Sequence, residues 1–183
     1  MMLYSCSTQK KTSSIKPPAS SKEKREAAIN DTISKHKGAT EATLLISYQE
    51  EYANLLGTPE EINNLALFQF MDEWMTVPYK YGGNSKSGVD CSRLSILLMK
   101  EVYHKVISGS SADIMKQTEP VSKDHLKEGD LVFFKINSAT VSHMGVYLAN
   151  DRFLHSTTQA GVVISDLNDA YYKKYFFAGG SVR

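Results

Sequence analysis

One cysteine and two histidines are the residues of this chain whose types and spacing could carry out nucleophilic chemistry. Cys91 follows the glycine-containing turn SGVD and begins the stretch CSRLSILLMKEV, in which Cys91, Leu94 and Leu98 share one face of a predicted helix. Free N–H groups and the positive end of the helix dipole favour a thiolate there, and we expect them to lower the pKa of the thiol. A cysteine on an apolar face can equally be inert packing, so a catalytic role requires a base.

The candidate bases lie on two consecutive predicted strands. His143 belongs to the alternating run VSHMGVYLA and His155 to the run RFLHSTT. Alternation places His143 and Gly145 on the same face of the first strand, where the glycine leaves room for a neighbouring side chain. The other histidines lie in predicted helical or loop stretches, and we expect them at the surface: His36, His104 and His125.

The loop between these strands decides whether the two histidines can cooperate. A two-residue loop, Asn150 and Asp151, would place them on opposite faces of the sheet. A three-residue loop that includes Ala149 pairs Gly145 with His155 and brings both rings to one face. Asn and Asp tolerate the left-handed conformation that such a loop needs, so we predict the longer loop. A thiol, an imidazole and a second polar ring that orients it are the parts of a nucleophilic hydrolase.

The elements that must position these residues change character along the chain. The stretch TPEEINNLALFQFMDEWM predicts one long, largely buried helix with Thr58 as its N-cap, ending before Pro78. The second half contains four short apolar or alternating runs, GDLVFFKI, VSHMGVYLA, RFLHSTT and GVVISDL, which predict antiparallel strands. The last segment, YYKKYFFAGGSVR, predicts a helical turn and a final strand. The fold class is therefore α+β, with N-terminal helices packed on an antiparallel sheet.

The chain divides into three predicted regions. Residues 1–25 form a polar Ser-, Lys- and Pro-rich tether, residues 26–60 a helical extension, and residues 61–183 the catalytic domain. The start MMLYSC resembles the end of a bacterial lipoprotein signal, although it lacks the charged and apolar regions that precede such a site. Cys6 is therefore a candidate for lipidation.

Bulk properties narrow the classes of partner. The 183 residues carry a formal net charge of +1, which gives no global field for nucleic acid or for an anionic membrane. No stretch approaches the roughly 20 apolar residues of a membrane span, so membrane contact is expected only through a lipid on Cys6. Neither C-x-x-C nor H-x-x-x-H occurs, and we predict no metal and no cofactor. We expect a monomer.

Four motifs in order, VPYKYGGNSKSGVDCSRL, LKEGDLVFF, SHMGVYL and FLHSTTQAGVVISDL, resemble those of the NlpC/P60 cysteine peptidases over about residues 65 to 183. The resemblance implies a papain-like α+β fold and hydrolysis of peptidoglycan stem peptides, commonly at the bond between γ-D-glutamate and a diamino acid. It implies Cys91 as the nucleophile, His143 as the base and His155 as the third polar member.

The same resemblance suggests residues that bind substrate and a place in the cell. Tyr79 is similarly placed to a tyrosine that lines the site and helps the Cys91 amide to hold the oxyanion. Asp90 and Ser92 match positions that bind the free amine of the stem peptide in several members. Members from Gram-negative bacteria are often lipoproteins, which implies the cell envelope and a lipid on Cys6.

The chain departs from the family pattern at one position beside the nucleophile. The pattern continues Asp-Cys-Ser-Gly, whereas this chain has Arg93. On a helix that residue lies about 200° around from Cys91, so we expect its side chain to point away from the sulfur. Two alternatives remain: acyl transfer on the same scaffold, and a wall-binding protein with weak or lost catalysis.

Overall fold

The structure is a computed structural model that describes residues 40–183. Cys6, the predicted tether of residues 1–25 and the first part of the helical extension lie outside the described residues. No helix within the described part is both long and apolar enough to cross a bilayer.

The helices of the described part lie mainly in its first half. They are α1 (Glu41–Leu56), α2 (Leu65–Trp74), α3 (Cys91–Tyr103), α4 (Ser111–Met115) and α5 (Ala170–Tyr175), with 3-10 turns at Pro59–Glu61 and Lys123–His125. The strands are β1 (Asn84–Ser85), β2 (Gly88–Val89), β3 (Glu119–Val121), β4 (Leu131–Phe134), β5 (His143–Tyr147), β6 (Arg152–Thr157), β7 (Gly161–Asp166) and β8 (Phe176–Ser181).

Within residues 40–183 the strands form one large antiparallel sheet and a small hairpin. The large sheet has the order β3-β8-β4-β5-β6-β7, and β1 pairs with β2 separately. The last strand, β8, enters the sheet between β3 and β4. The predicted α+β class, the four strands β4 to β7 and the final helical turn with its strand are all confirmed.

The predicted start of the second helix at Thr58 is wrong. Pro59–Glu61 forms a single 3-10 turn, and α2 begins only after Asn64, whose side-chain oxygen accepts a backbone N–H of the first helical turn. Between the two, Ile62 is fully buried, and its carbonyl accepts a hydrogen bond from Gln49 Nε2 at 2.9 Å. A tertiary contact with α1 therefore takes a carbonyl that a continuous helix would have used for its own hydrogen bonds.

The core lies on both faces of the large sheet. Helices α1 to α3 cover one face, and the helix that precedes the predicted catalytic domain belongs to this main cluster through Tyr52 and Leu56. A smaller cluster, which includes Phe134, Phe153 and Tyr172 of α5, covers the other face. Strands β5 and β6 are therefore buried on both sides, and His155, two residues after Phe153, points toward the smaller cluster.

The β5–β6 hairpin has the predicted three-residue loop. Val146 pairs with Leu154 and Tyr147 with Phe153, which leaves residues 149–151 as the connection. The second and third loop residues have φ angles of 49° and 56°, in the left-handed region that Asn and Asp tolerate. Both histidine side chains consequently lie on the same face of the sheet.

Candidate active site

The start of α3 holds Cys91 at the first helical position. Asp90 is the N-cap, and its Oδ1 accepts the backbone N–H of Arg93 at 2.8 Å. The first N–H groups of a helix have no intrahelical acceptor, and the cap leaves the amide of Cys91 itself available to an oxygen at the helix start. Cys91 is 8% exposed, so little of this residue reaches solvent.

The segment that leads into α3 is held by backbone pairing with the residues around Tyr79. Val89 donates its N–H to the carbonyl of Pro78 at 3.0 Å and accepts the N–H of Lys80 at 3.3 Å. The carbonyl of Val89 also accepts the buried hydroxyl of Ser156 at 2.7 Å. These bonds fix Tyr79 beside the nucleophile.

A cleft of about 310 Å³ opens at the start of α3. It is lined by Tyr79, Cys91, Ile136, Ser142, His143, Ser156, Thr157, Thr158, Gln159, Tyr171 and Tyr172. The structure thus brings three predicted site residues, Tyr79, Cys91 and His143, to one cavity. Among the described residues that line it, no aspartate, glutamate, lysine or arginine occurs.

The two histidines are in direct contact below the cleft. His143 Nε2 lies 2.7 Å from His155 Nδ1, and the rings meet edge to face with centroids 5.0 Å apart. Gly145 makes room for this contact, because a Cβ there would lie 2.7 Å from the Phe153 ring and 3.0 Å from the Cβ of His155. The space that the sequence indicated beside Gly145 is therefore occupied by the Phe153 ring, the Leu154 carbonyl and the Cβ of His155.

His155 is fully buried and has polar partners on its far side. Its Nε2 lies 2.9 Å from Ser165 Oγ and 3.4 Å from the hydroxyl of Tyr172. Ser165 belongs to β7 and Tyr172 to α5, so three different elements hold the ring. Both ring nitrogens of His155 are engaged within the protein.

Burial controls the protonation of both histidines. It lowers the pKa of His143 to about 4. For His155 burial lowers the pKa well below the ordinary range, and the neighbouring His143 adds to the effect. Among residues 40–183 no carboxylate contributes to either shift, so none of these residues supplies a counter-ion for the charged form of the pair. Both rings are neutral near pH 7.

The Cys91 thiol does not behave as its helix position alone predicted. Burial raises its pKa, and the negative charge of Asp90 raises it further. Hydrogen bonds from the backbone of Met144 and Ser92 and from the Ser111 side chain act in the opposite direction but do not outweigh desolvation. The predicted net lowering of the pKa is therefore wrong, since removal from water disfavours the thiolate more than the helix start favours it.

Asp90 and Ser92 flank the nucleophile but are not among the cleft-lining residues. The Asp90 carboxylate accepts three hydrogen bonds, from the hydroxyl of Ser92, from the amide of Arg93 and from the amide of Gly82 at 2.8 Å. It is only 8% exposed. Asp90 thus ties the glycine turn to the helix start. Arg93 is exposed and also lies outside the cleft lining, as its helical position predicted.

The sequence analysis did not identify the polar side chains that contact His155 and Cys91. Ser165 lies within the motif FLHSTTQAGVVISDL, whereas Tyr172 and Ser111 lie outside the four motifs, and no local pattern gives any of the three a role. Only the β6–β7 register, in which Phe153 pairs with Ser165, could have suggested that this serine lies diagonally next to His155. Within residues 40–183 no group of three His, Cys, Asp or Glu side chains could hold a metal ion.

Relatives with assigned names share most of this chain. A protein of Escherichia coli strain K12, named murein DD-endopeptidase MepS/murein LD-carboxypeptidase, is 33% identical over 137 residues, which cover 75% of this chain and 71% of that protein. A probable endopeptidase NlpC homolog of Haemophilus influenzae is 36% identical over 111 residues, 61% of this chain and 58% of that protein.

Solved structures agree with the fold. An NlpC/P60 family protein from Bacillus cereus superposes with a TM-score of 0.59 at 26% identity over 63% of this chain, which spans 39% of that longer chain. RipD from Mycobacterium tuberculosis, described as a non-catalytic NlpC/p60 domain protein adapted to peptidoglycan binding, superposes with a TM-score of 0.52 at 18% identity over 64% of this chain and 95% of its own. The second likeness concerns the fold alone.

A match to a protein-family model covers more than half of the chain. The model of the NlpC/P60 family matches residues 76–181, the region that contains Tyr79, Cys91, His143 and His155. With this match, the papain-like arrangement of helices on an antiparallel sheet is explained by descent as well as by the pattern of the sequence. The chain belongs to the NlpC/P60 family.

Proposed function

We propose that this protein is a cysteine peptidase that hydrolyses peptide bonds of peptidoglycan through a thioester on Cys91. The observation that carries the proposal is the shared cleft: Cys91 and His143 line one cavity, while His155 holds the other ring nitrogen of His143. Support also comes from the E. coli relative, which is named as a murein endopeptidase.

The contact between the histidines assigns roles to the ring nitrogens of His143. Nε2 faces His155, so Nδ1 is the nitrogen left to take the proton of the Cys91 thiol. Because both rings are neutral and the thiol pKa is raised, the resting site holds a thiol and an imidazole rather than an ion pair. Proton transfer then accompanies attack of the sulfur on the substrate carbonyl.

The remaining steps use groups already described. The amide of Cys91 and the hydroxyl of Tyr79 stabilise the oxyanion as the C–S bond forms. His143 returns its proton to the leaving amine, the C–N bond breaks, and a thioester remains. His143 then takes a proton from water, which attacks the thioester and releases the free thiol and the carboxylic acid product.

Two bonds of the stem peptide are candidates for cleavage. The first is the bond between γ-D-glutamate and the diamino acid, with Asp90 and Ser92 near the free amine of the peptide. The second is a bond between D-configured centres of a cross-link, which the name of the E. coli relative favours. The second is also favoured by Asp90, whose carboxylate is little exposed and already accepts three hydrogen bonds within the protein.

The proposed substrate places the protein in the bacterial cell envelope. Lipidation of Cys6 would anchor it there through the polar tether of residues 1–25. We propose that the protein acts as a monomer, without a metal or organic cofactor and without a nucleic-acid partner.

The test is incubation of the purified protein with defined stem peptides and cross-linked muropeptides, followed by mass spectrometry of the products. We expect a gain of one water per cut bond and no cleavage by Cys91→Ala. Product masses that show transfer to an added amine in place of water would support the acyltransferase alternative. Binding without any cleavage by the wild-type protein would support a wall-binding role and contradict the proposal.

A further inference from the structure

Three polar side chains lie in a diagonal line across three neighbouring strands. His143 in β5 contacts His155 in β6, and His155 contacts Ser165 in β7, at 2.7 and 2.9 Å. The register sets this line, because Ser165 pairs with Phe153, two residues before His155 and on the same face. Ser165 is 3% exposed and His155 is fully buried, so water does not substitute for these contacts.

The direction of hydrogen bonding along this line is restricted by the chemistry at its open end. To accept the proton of Cys91, His143 must carry no hydrogen on Nδ1 and must therefore carry one on Nε2. That Nε2–H can only be donated to an unprotonated Nδ1 of His155. The hydrogen of His155 then lies on its Nε2, which must find an acceptor.

Ser165 is the better placed of the two acceptors around His155. Its oxygen is 2.9 Å from Nε2, whereas the hydroxyl of Tyr172 is 3.4 Å away. We propose that Ser165 is a positioning residue, which accepts the Nε2–H of His155 and so holds both histidines in the tautomers required for proton transfer from Cys91. The inference rests on the peptidase function proposed above.

The test by activity uses Ser165→Ala with two matched variants. Removal of the acceptor should lower kcat by about 10-fold, the value of one hydrogen bond, with KM changed less than twofold. Ser165→Thr keeps the hydroxyl and should recover most of the rate. Tyr172→Phe removes the more distant hydroxyl and should change kcat less than Ser165→Ala. A Ser165→Ala protein with wild-type kcat would contradict the proposal, as would a larger loss in Tyr172→Phe.

A second measurement reads the tautomers in the resting protein and needs no catalysis. The ¹⁵N shifts of the imidazoles at neutral pH should show His155 protonated at Nε2, with its signals identified by their loss in His155→Gln. Ser165→Ala should shift the population toward the Nδ1–H form, and Ser165→Thr should not. Wild-type His155 protonated at Nδ1 would overturn the inference even if the protein is a peptidase. The expected tautomers in a protein without peptidase activity would contradict only the proposed function.

Discussion

His143 Nε2 and His155 Nδ1 lie 2.7 Å apart, so the candidate base has an uncharged ring as its hydrogen-bond partner. A carboxylate in this place would stabilise the imidazolium, whereas a buried neutral ring can only orient it. Burial lowers the pKa of His143 to about 4 and raises the pKa of the Cys91 thiol. The following predictions arise from this arrangement and from the residues that maintain it.

Substitution of the two histidines should separate the base from its orienting partner. His143→Ala removes the proton acceptor and should lower kcat by at least about 100-fold. His155→Gln should be milder, because the amide oxygen can still accept the Nε2–H of His143. Steady-state kinetics on a defined stem peptide check both. An equal loss in both variants would show that His155 does more than orient its neighbour.

Gly145→Ala should disturb the histidine pair without touching either histidine. The added methyl would lie 2.7 Å from the Phe153 ring and 3.0 Å from the His155 Cβ, so the strands or rings must shift. We expect a loss of stability of about 1 to 3 kcal/mol by urea denaturation and a lower kcat in the folded protein.

Gly179→Ala is the matched control for that experiment. Gly179 lies in β8, away from the histidines. A methyl group at this position would lie 2.7 Å from the Leu126 side chain. It should destabilise the protein to a similar degree and leave kcat unchanged. If both variants lose kcat in proportion to their loss of stability, Gly145 affects activity only through stability and not through the histidine pair.

Alkylation of Cys91 should be slow at neutral pH. Burial raises the pKa of this thiol, and only the thiolate reacts with iodoacetamide. In a Cys6→Ser background, which leaves Cys91 as the one thiol of the chain, we expect the rate constant to keep rising above pH 8.5, the ordinary value for cysteine. A plateau reached below pH 7 would indicate a preformed thiolate and refute the neutral resting site.

The protein should lose stability in mild acid because of the buried histidines. A histidine in the unfolded chain binds a proton near pH 6.5, whereas burial lowers the pKa of His143 to about 4 in the folded protein. Between these values the unfolded chain holds more protons, so the free energy of unfolding falls as the pH falls, by about 3 kcal/mol for this residue. His155 acts in the same direction.

Denaturant unfolding at several pH values between 7 and 4 would measure this slope. His143→Gln should reduce it, since the group that titrates is gone. His104→Asn is the control, because His104 is an exposed residue at the end of α3 with a left-handed φ of 55° that Asn tolerates. An unchanged slope in His143→Gln would mean that this histidine is not the source of the acid sensitivity.

Replacements of Asp90 should distinguish helix capping from recognition of a free amine. Asp90→Asn keeps the cap on Arg93 through one oxygen but puts an NH2 group where the other oxygen accepts the Gly82 N–H, so it should lose some stability. Asp90→Ala loses both oxygens and should lose more, about 0.5 to 2 kcal/mol for the cap alone. If the carboxylate also attracts the amine of the stem peptide, Asp90→Asn should lower kcat/KM for the free peptide and leave that for its N-acetylated form unchanged. If the ratio of kcat/KM for the free peptide to kcat/KM for its N-acetylated form is the same in wild type and Asp90→Asn, the residue only stabilises the helix start and does not recognise the amine.

Much of this architecture could be predicted from local pattern. The strands β4 to β7 alternate or run apolar between turn residues, and the Asn150-Asp151 pair specifies a loop with left-handed residues, so even the β5–β6 register followed from the sequence. That register alone places His143 and His155 on one face. Periodicity also identified the buried face of α3, which begins at Cys91.

Other features depended on contacts between different elements of the structure. The helix expected from Thr58 is interrupted because Gln49 of α1 binds the carbonyl of Ile62. The pKa of Cys91 is raised because the sheet and the helices bury the thiol, a quantity that a helix start does not reveal. Ser165 reaches His155 only through the β6–β7 pairing. The local sequence determined which side chains of each helix and strand face the core. The tertiary structure decided how strongly each site residue is desolvated and which polar group is its hydrogen-bond partner. Both depend on the packing of several elements together.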